Sequence, residues 1–477
     1  MAATPAIVLF LLLLFPAAVF SNAEDSFDVR RHLSTATRYH IAKDISENSI
    51  VPSNIPTSKP ENTWCFVDAS WKTKQMFYSA FVKKSCDVLD SHVKRHHQAR
   101  HGTRAPTKKK LKELEALVTR LKVLLENVKE QKSTGIPTWL WGWKSPWTGK
   151  HKGGELVSEG KNELYELGIR TREKFPDLFN EDYHPDIYPI KATQVSRASA
   201  SAVAFGMGLF SDRGNLGPGR HRAFAVTSES RASDIMLRFH DCCQNYKEAS
   251  LLNKTDQACA LFTPSEVGLL EWADDLEVFV LKGYGNSLNY RMGVPLLEDV
   301  IQSMEQAINA KEDGLVSGSY EMARLRFAHA ETLLPFSCLI GLFLDGPEFE
   351  RILSEQPLEL PVKPPQKRIW HGSSVAPFAG NNMLVLYSCP ASNSSRYFVQ
   401  ALHNERPTPL AGCGNSDFCP FEVFKERIAA PHLKHDYNAL CSMELEQSKQ
   451  TAPTNKFSQI LSWFFPGDSK QPQNAEL

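Results

Sequence analysis

Two strand-like segments of this chain are each followed directly by a helix-like segment. Residues 187–195 have the apolar and β-branched character of a strand, and they precede a helical pattern over residues 198–210. Residues 323–327 also suit a strand, and an apolar helical pattern follows them over residues 332–344. A strand that leads into a helix is the repeating unit of layered α/β proteins, in which helices cover a sheet. The chain is therefore expected to contain a layered α/β domain.

The motif with the most chemical content is Arg-His-Gly-Thr-Arg-Ala-Pro at residues 100–106. Guanidinium groups match phosphate oxygens and stay charged at every working pH, so Arg100 and Arg104 are candidate anion ligands. His101 follows Arg100, and neighbouring arginines lower the pKa of a histidine by disfavouring its imidazolium form. A neutral imidazole can act as a nucleophile through one ring nitrogen. We interpret the motif as a phosphate site with His101 as the nucleophile.

The residues around this motif support the same interpretation. Gly102 would let the backbone approach a bound anion, and a helix that starts behind Pro106 would offer amide hydrogens at the positive end of its dipole. That helix is predicted to reach about residue 131, and its apolar stripe is typical of an amphipathic helix in a layered fold. The alternative is a basic surface stretch, since Lys108, Lys109 and Lys110 follow at once. These lysines either line the mouth of the pocket or form a solvated helix face.

Charge and composition limit the partners of the chain. Lysine plus arginine total 54 and aspartate plus glutamate total 54, so no long-range field favours nucleic acid, which is excluded as a partner. Any anion site must therefore be a local cluster of charge. The 477 residues are 42% hydrophobic, enough for one large core or two smaller ones.

The N-terminal residues predict entry into the secretory pathway. Residues 6–20 form an apolar run that is too short to span a bilayer, and small residues follow it, so residues 1–23 are expected to be a signal peptide. No later stretch is long enough for a membrane span. Ten cysteines can then oxidise in pairs, and Cys413 and Cys419, which enclose a short loop, are expected to bond.

Other features fit the same route. Sequons at Asn253 and Asn393 suit a glycosylated secretory protein. The segment 447–477 is a polar tail to which we assign no fixed structure, and its last two residues match those of the Lys-Asp-Glu-Leu retention signal. The expected location is extracellular or vacuolar, with the lumen of the endoplasmic reticulum left open.

Three parts of the sequence carry a family resemblance. Arg-His-Gly-x-Arg-x-Pro resembles the signature of histidine acid phosphatases, the clade of the histidine phosphatase superfamily that contains phytases. His329-Ala330-Glu331-Thr332 is similar to the second signature in the form carried by multiple inositol polyphosphate phosphatases, where other relatives have histidine followed directly by aspartate. Arg197, in Gln-Val-Ser-Arg-Ala-Ser-Ala, is similar to the third arginine of the family. The resemblance is strongest to the plant branch.

The resemblance implies a fold. A layered α/β phosphatase domain with helices on both sheet faces would be formed by residues 24–220 and 318–446, and a smaller α-helical cap domain would be inserted at residues 221–317. His101, Arg197 and His329 each fall where a strand-like segment gives way to a helix. That is the edge at which open α/β sheets bind ligands.

The resemblance also implies an activity. The chain would hydrolyse phosphomonoesters of inositol polyphosphates such as phytate through a phosphohistidine intermediate on His101. Glu331 would donate a proton to the leaving alcohol, and the phosphate would be held by Arg100, Arg104, Arg197 and His329. No cofactor and no metal is expected, because arginines would do what magnesium does in kinases. The oligomeric state is not indicated.

The segment before the motif departs from the family. Relatives place an apolar strand there, whereas residues 91–99 contain Val93 and Ala99 as their two apolar side chains, and the tract from about residue 58 to residue 90 does not match. A central strand is buried on both faces, and burying Lys94 and Arg95 unpaired would cost several kcal/mol. We therefore expect this segment to stay outside the sheet or to damage it. One hypothesis is a splice or gene-model variant in which His101 is poorly anchored.

Several alternatives remain beside the phosphatase interpretation. A metal-binding helix formed by His92, His96, His97 and His101 is disfavoured, because no carboxylate or cysteine lies beside these histidines. A phosphomutase-type relative shares Arg-His-Gly but lacks the helical insertion and the secretion signal. A catalytically impaired or silent homologue that binds phosphate ligands is the alternative from another class. Phosphate release from phytate at acidic pH would separate these classes.

Overall fold

A computed structural model describes residues 31–48, 92–130, 141, 153–237 and 263–440 of this chain, except positions 32, 212–213, 219, 221, 231–232, 365, 390–394, 415 and 438 within those ranges. The predicted signal peptide, both sequons and the polar tail lie outside these residues. Their interpretation stays a prediction.

The described residues form helices and strands in alternation. The strands are β1 (His92–Arg100), β2 (Ile190–Ala192), β3 (Ala323–Ala328), β4 (Asn381–Ser388), β5 (Tyr397–His403), β6 (Arg406–Pro407) and β7 (Cys419–Pro420). The helices are α1 (Tyr39–Asn48), α2 (Lys108–Glu130), α3 (Ser158–Lys174), α4 (Ser196–Leu209), α5 (Pro264–Lys282), α6 (Ser287–Arg291), α7 (Val294–Glu312), α8 (Ala330–Leu339), α9 (Gly346–Leu353), α10 (Gly372–Val375), α11 (Phe421–Val423) and α12 (Ala430–Leu433). Three-residue and four-residue 3-10 helices cover Ser34–Ala36, Pro176–Phe179 and Ala411–Cys413, and a π-helix covers Phe424–Ala429.

The strands form a single mixed sheet. Its order is β2-β3-β1-β4-β5-β6, and β7 pairs with β5. Strand β3 is parallel to both β1 and β2, whereas β4 is antiparallel to β1. The carboxyl ends of β2, β3 and β1 therefore meet at one edge of the sheet. The segments that follow these three strands are brought together although they are far apart in sequence.

Helices cover both faces of this sheet. On β4, Met383 and Val385 join a core with residues of α3 and α4, whereas Leu384 joins a second core with residues of α7 and α8. Successive side chains of a strand point to opposite faces, so the two cores lie on opposite sides of the sheet. The predicted α/β fold with helices on both sheet faces is confirmed.

The helix after the signature motif, α2, forms close to its predicted bounds. The described residues of its apolar stripe, Leu111, Val118, Leu121 and Leu125, are half-buried, whereas most of its charged residues are exposed. The predicted amphipathic helix is therefore present. An apolar stripe does not identify the surface against which a helix packs, so the interpretation of α2 as a layer helix stays a prediction.

The predicted inserted domain includes three of the helices, α5, α6 and α7. Helix α7 contacts β1 and α8, and most of its buried side chains belong to the core on that face of the sheet. This part of the segment thus packs directly against the sheet. The boundary at residues 221–317 stays a prediction.

The polar segment before the motif is the central strand β1, between β3 and β4, with residues 93–100 all buried. The expectation that it would stay outside the sheet or damage it was wrong. Lys94 is buried with a partner, because its Nζ lies 2.9 Å from Oε1 of Glu321. Arg95 packs its guanidinium 4.4 Å from the ring centroid of Phe175 on the other face. The sheet accepts the charged strand because distant residues provide these contacts.

The contacts of Arg95 are nevertheless incomplete. Its Nη2 lies 3.4 Å from Oγ1 of Thr171, but among the described residues its Nε and Nη1 have no hydrogen-bond partner. Burial lowers the pKa of Arg95 to about 9, against the opposing effect of Glu405. Buried donors without partners retain their desolvation cost, at about 1–3 kcal/mol each.

Arg95→Met is therefore expected to stabilise the protein by about 1–3 kcal/mol, because a flexible apolar chain fills the same space without unpaired donors. Urea unfolding at neutral pH measures the change. The matched control is Lys94→Met on the same strand, which should destabilise, because it removes the cation that pairs with Glu321. An Arg95→Met protein that is less stable than the wild type would contradict the unpaired-donor interpretation.

Two further predictions concern the whole chain. The disulfide between Cys413 and Cys419 is present, as predicted. Among the residues that the structure describes, none of the helices combines the length and the hydropathy that a bilayer crossing requires.

Candidate active site

The ends of three strands assemble the site. His101 directly follows β1, His329 directly follows β3, and Thr193 directly follows β2. The rings of His101 and His329 stand edge to face with their centroids 5.5 Å apart, and Nε2 of His329 lies 2.9 Å from Oγ1 of Thr193. The backbone fixes His101 in place, because its amide donates to Ala328 and its carbonyl accepts from Ala379. The expectation of a poorly anchored His101 was wrong.

The ring of His101 has a defined hydrogen-bonding state. Its Nδ1 lies 2.9 Å from the carbonyl oxygen of Gly102. A carbonyl oxygen can only accept, so Nδ1 carries the hydrogen of the neutral ring and Nε2 keeps its lone pair. Burial holds the pKa of His101 well below its usual range, and the charges of Arg197 and Arg100 act in the same direction. The ring is thus a neutral imidazole with one nucleophilic nitrogen.

The three predicted arginines are electrostatically coupled to each other and to His101. Burial lowers the pKa of Arg100 to about 10 and that of Arg104 to about 9, and it also lowers the pKa of Arg197. Arg197 lies in the first turn of α4. One guanidinium nitrogen of Arg100 donates to the carbonyls of Thr35 and Ala376, and its plane lies over Phe378. Cations that repel one another in a buried pocket form a strong site for a multivalent anion.

Glu331 lies in the first turn of α8, and its carboxylate meets this cluster. Its charge raises the pKa of all three arginines, against the larger opposite effect of burial. Oε1 of Glu331 also lies 2.8 Å from Nζ of Lys282, the last residue of α5, and both side chains are nearly buried. A carboxylate that contacts the cationic pocket is placed to transfer a proton at its edge. His329 is the N-cap residue of α8, and the hydroxyl of Thr332 in the first turn donates to the carbonyl of Met236.

The signature loop packs against α3 through two glycines. A Cβ atom on Gly102 would come within 2.2 Å of the carbonyl oxygen of Gly160, and one on Gly160 would come within 2.1 Å of the carbonyl of Thr103. The close contact between the two backbones therefore requires glycine at position 102, in addition to any approach of this backbone to an anion. The amide of Gly102 donates to Oγ of Ser201 on α4, so the loop is held by both helices.

The sequence did not predict three residues that contact the site. Lys282 contacts Glu331, Thr193 contacts His329, and Ser201 contacts Gly102. Lys282 is the last residue of a helix, and a lysine at that position usually is a solvated charge that interacts with the helix C-terminus. Its type and position in the sequence therefore do not indicate a site residue. Thr193 and Ser201 are neutral residues near predicted junctions. The position of Thr193 directly behind a strand of an α/β sheet was the one available signal for it.

The histidine-rich helix considered as a metal site does not form. His96 and His97 lie next to each other on a strand and therefore point to opposite faces of the sheet. In the described ranges, the one group of three side chains with metal-ligand spacing is Glu271, Asp275 and His371. The guanidinium of Arg368 already pairs with both carboxylates there, at 3.2 Å and 2.6 Å.

Comparison with known proteins identifies the family. The model for the histidine phosphatase superfamily (branch 2) matches residues 98–258 and 250–404, which together are more than half of the chain. This chain belongs to that family. Its sequence is 25% identical over 447 residues to multiple inositol polyphosphate phosphatase 1 of Dictyostelium discoideum, which covers 73% of this chain and 68% of the relative.

Further relatives agree with this assignment. Multiple inositol polyphosphate phosphatase 1 of Homo sapiens is 25% identical over 379 residues, covering 65% of this chain and 74% of the relative. The phytase from D. castellii has the same fold, with a TM-score of 0.54 and 15% identity over 76% of this chain and 86% of the phytase. The predicted histidine phosphatase family and phosphatase class are confirmed. The plant branch and the roles of the individual site residues stay predictions.

Proposed function

We propose that this member of the family hydrolyses phosphomonoesters of inositol polyphosphates, with His101 as the phosphate acceptor. The observation that carries the proposal is the neutral ring of His101, with Nε2 bearing its lone pair, beside the buried Arg100 and Arg104 and the half-buried Arg197. A nucleophile of this kind among fixed cations suits attack on a phosphoryl group, whose charge the arginines stabilise.

The first step transfers the phosphoryl group to the enzyme. Nε2 of His101 forms a bond to phosphorus while the bond from phosphorus to the inositol oxygen breaks. Arg100, Arg104 and Arg197 stabilise the phosphoryl oxygens, together with His329, whose ring is next to that of His101. The leaving oxygen takes the proton of the Glu331 carboxyl group, so that inositol departs as an alcohol.

The second step returns the enzyme to its starting state. Glu331, now a carboxylate, removes a proton from a water molecule, and the oxygen of that water attacks the phosphorus of the phosphohistidine. The bond from phosphorus to Nε2 breaks and inorganic phosphate leaves. Because the arginines supply the charge that a metal ion supplies in kinases, the proposal includes neither a cofactor nor a metal.

The preference for a polyphosphorylated substrate follows from charge. Lys282 adds a fourth cation beside Glu331, at the end of a helix outside the signature loop. A substrate with several phosphates gains from cations beyond those that hold the reacting group. The names of the Dictyostelium and human relatives support the same substrate class.

The test is release of inorganic phosphate from phytate by the purified protein between about pH 4 and pH 7. Steady release with a turnover above that of a His101→Ala preparation is expected. A simple phosphomonoester such as glycerol phosphate serves as the comparison and should have the lower kcat/KM. Binding of phosphate without release from any ester would support the silent homologue, and transfer of phosphate between sugar positions would support the phosphomutase.

We also infer that the protein folds in the secretory pathway. The disulfide of Cys413 and Cys419 supports this location, because such bonds persist in oxidising compartments. The apolar N-terminal run of the sequence supports it independently. Recovery of the intact disulfide and of a processed N-terminus from secreted material tests the location.

A further inference from the structure

A carboxylate on α3 that was not among the predicted site residues contacts the signature loop. Glu163 lies on α3, and its Oε2 accepts from the amide of Thr103 at 2.8 Å. Its Oε1 accepts from the hydroxyl of Thr103 at 2.8 Å. Thr103 lies between the nucleophile His101 and the phosphate ligand Arg104 in sequence. Both donors of this residue are therefore held by a single side chain.

Helix α3 also holds the third polar group of the same residue. The carbonyl oxygen of Thr103 accepts from the amide of Val157, at 3.1 Å, directly before the start of α3. The close approach of Gly102 and Gly160 brings the loop against the same turn of the helix. The backbone between His101 and Arg104 is thus fixed by α3, and Glu163 provides two of the hydrogen bonds.

The groups around Glu163 affect its pKa, and its charge state determines how well it can hold Thr103. Burial raises the pKa of Glu163, while the hydrogen bonds from Thr103 and Tyr39 and the charge of Arg38 oppose this effect. Arg100 also responds to the charge of Glu163 from the side of β1. The ionised carboxylate can accept from both donors of Thr103, whereas a protonated carboxyl group loses acceptor capacity.

We propose that Glu163 is a positioning residue for the proposed phosphatase reaction, which in its ionised form holds Thr103 and thereby sets the relative position of His101 and Arg104. The inference rests on the proposed function. The inference adds Glu163 of α3 to the residues that shape the phosphate site. Phosphate binding at this site would then depend on pH through the ionisation of Glu163. Loss of the ionised form should misplace Arg104 relative to the nucleophile, so phosphate binding and turnover should weaken together.

The test compares Glu163→Gln with Glu166→Gln, an exposed glutamate on the same helix. The glutamine keeps the size of the side chain and cannot ionise, so Glu163→Gln imitates the protonated carboxyl group at every pH. Two readouts are taken between about pH 4 and pH 7. These are kcat/KM on phytate and the affinity for inorganic phosphate by calorimetry, which needs no turnover.

At the upper end of this range Glu163→Gln should lower phosphate affinity and kcat/KM by about tenfold, the effect of losing one charge-assisted hydrogen bond. As the pH falls, Glu163 of the wild type protonates and the ratio of wild type to variant should approach one. The ratio for Glu166→Gln should stay near one throughout. A purely structural role would instead lower the unfolding temperature without a ratio that converges with pH.

Two outcomes would overturn the inference: equal phosphate affinity for wild type and Glu163→Gln across the range, or a loss that Glu166→Gln shares. Failure of the proposed function is distinguishable from both. In that case the wild type releases no phosphate from phytate, while the calorimetric comparison of the two variants still decides whether Glu163 positions the anion site.

Discussion

His101→Ala is expected to lower kcat on phytate by at least about 10⁴-fold, because alanine has no ring nitrogen to attack phosphorus. The fold should persist, since the position of residue 101 depends on backbone bonds to Ala328 and Ala379, which alanine keeps. Steady-state kinetics measures the loss, and rapid acid quench with labelled substrate should detect phosphohistidine in the wild type but not in the variant.

The matched control is His184→Ala, which removes an exposed histidine far from the predicted motif in sequence. It should retain the activity of the wild type. Retention of most activity by His101→Ala, with no trapped intermediate in the wild type, would rule out the covalent mechanism while leaving the family assignment intact.

Glu331→Gln is expected to lower kcat on phytate by about 10²-fold or more and to have a much smaller effect on 4-nitrophenyl phosphate. An inositol alkoxide is a poor leaving group that requires a proton, whereas the nitrophenolate departs readily without one. The ratio of the two losses therefore measures the acid role itself and not a general loss of the site.

Removal of Glu331 also changes the charge of the pocket, since Lys282 loses its partner. Lys282→Met separates this effect, because it breaks the same ion pair and leaves the carboxyl group in place. The Lys282→Met protein should raise KM for phytate more than KM for 4-nitrophenyl phosphate, because phytate loses a cation for its outer phosphates, while kcat falls by similar factors on both substrates. If Glu331→Gln likewise lost equal factors on both, the proton donor would have to be another group.

The predicted parts of the site are those that local sequence specifies. The signature loop combines arginine, histidine and glycine within seven residues. In that combination arginine indicates an anion ligand, histidine a nucleophile and glycine a close approach of the backbone. The strand β3 and the helix α8 follow the apolar pattern that predicted them. His329 could therefore be placed at a sheet edge before the register of any strand was known.

The remaining parts depend on contacts that sequence alone does not specify. Nothing in the residues of β1 predicts a central strand, because its acceptance in the sheet rests on Glu321 and Phe175, which are distant in sequence. The contact between Lys282 and Glu331 likewise joins separate helices. Sequence alone predicts that this charged segment stays outside the sheet, because it gives the cost of burying Lys94 and Arg95 but not the distant partners that offset part of that cost.

The register of β1 also has a consequence for biosynthesis. Arg95 pairs with Ala323, so β1 leaves the ribosome long before β3, its parallel neighbour in the sheet. At about 5–20 residues per second, this interval is on the order of ten seconds or more. An apolar strand with unpaired edges would be prone to aggregate during that time, whereas neighbouring lysine, arginine and histidine side chains keep such a segment hydrated. We therefore expect the polar residues of β1 to protect the nascent chain, so that Arg95→Met, which should stabilise the finished sheet, should also lower the yield of folded protein during synthesis.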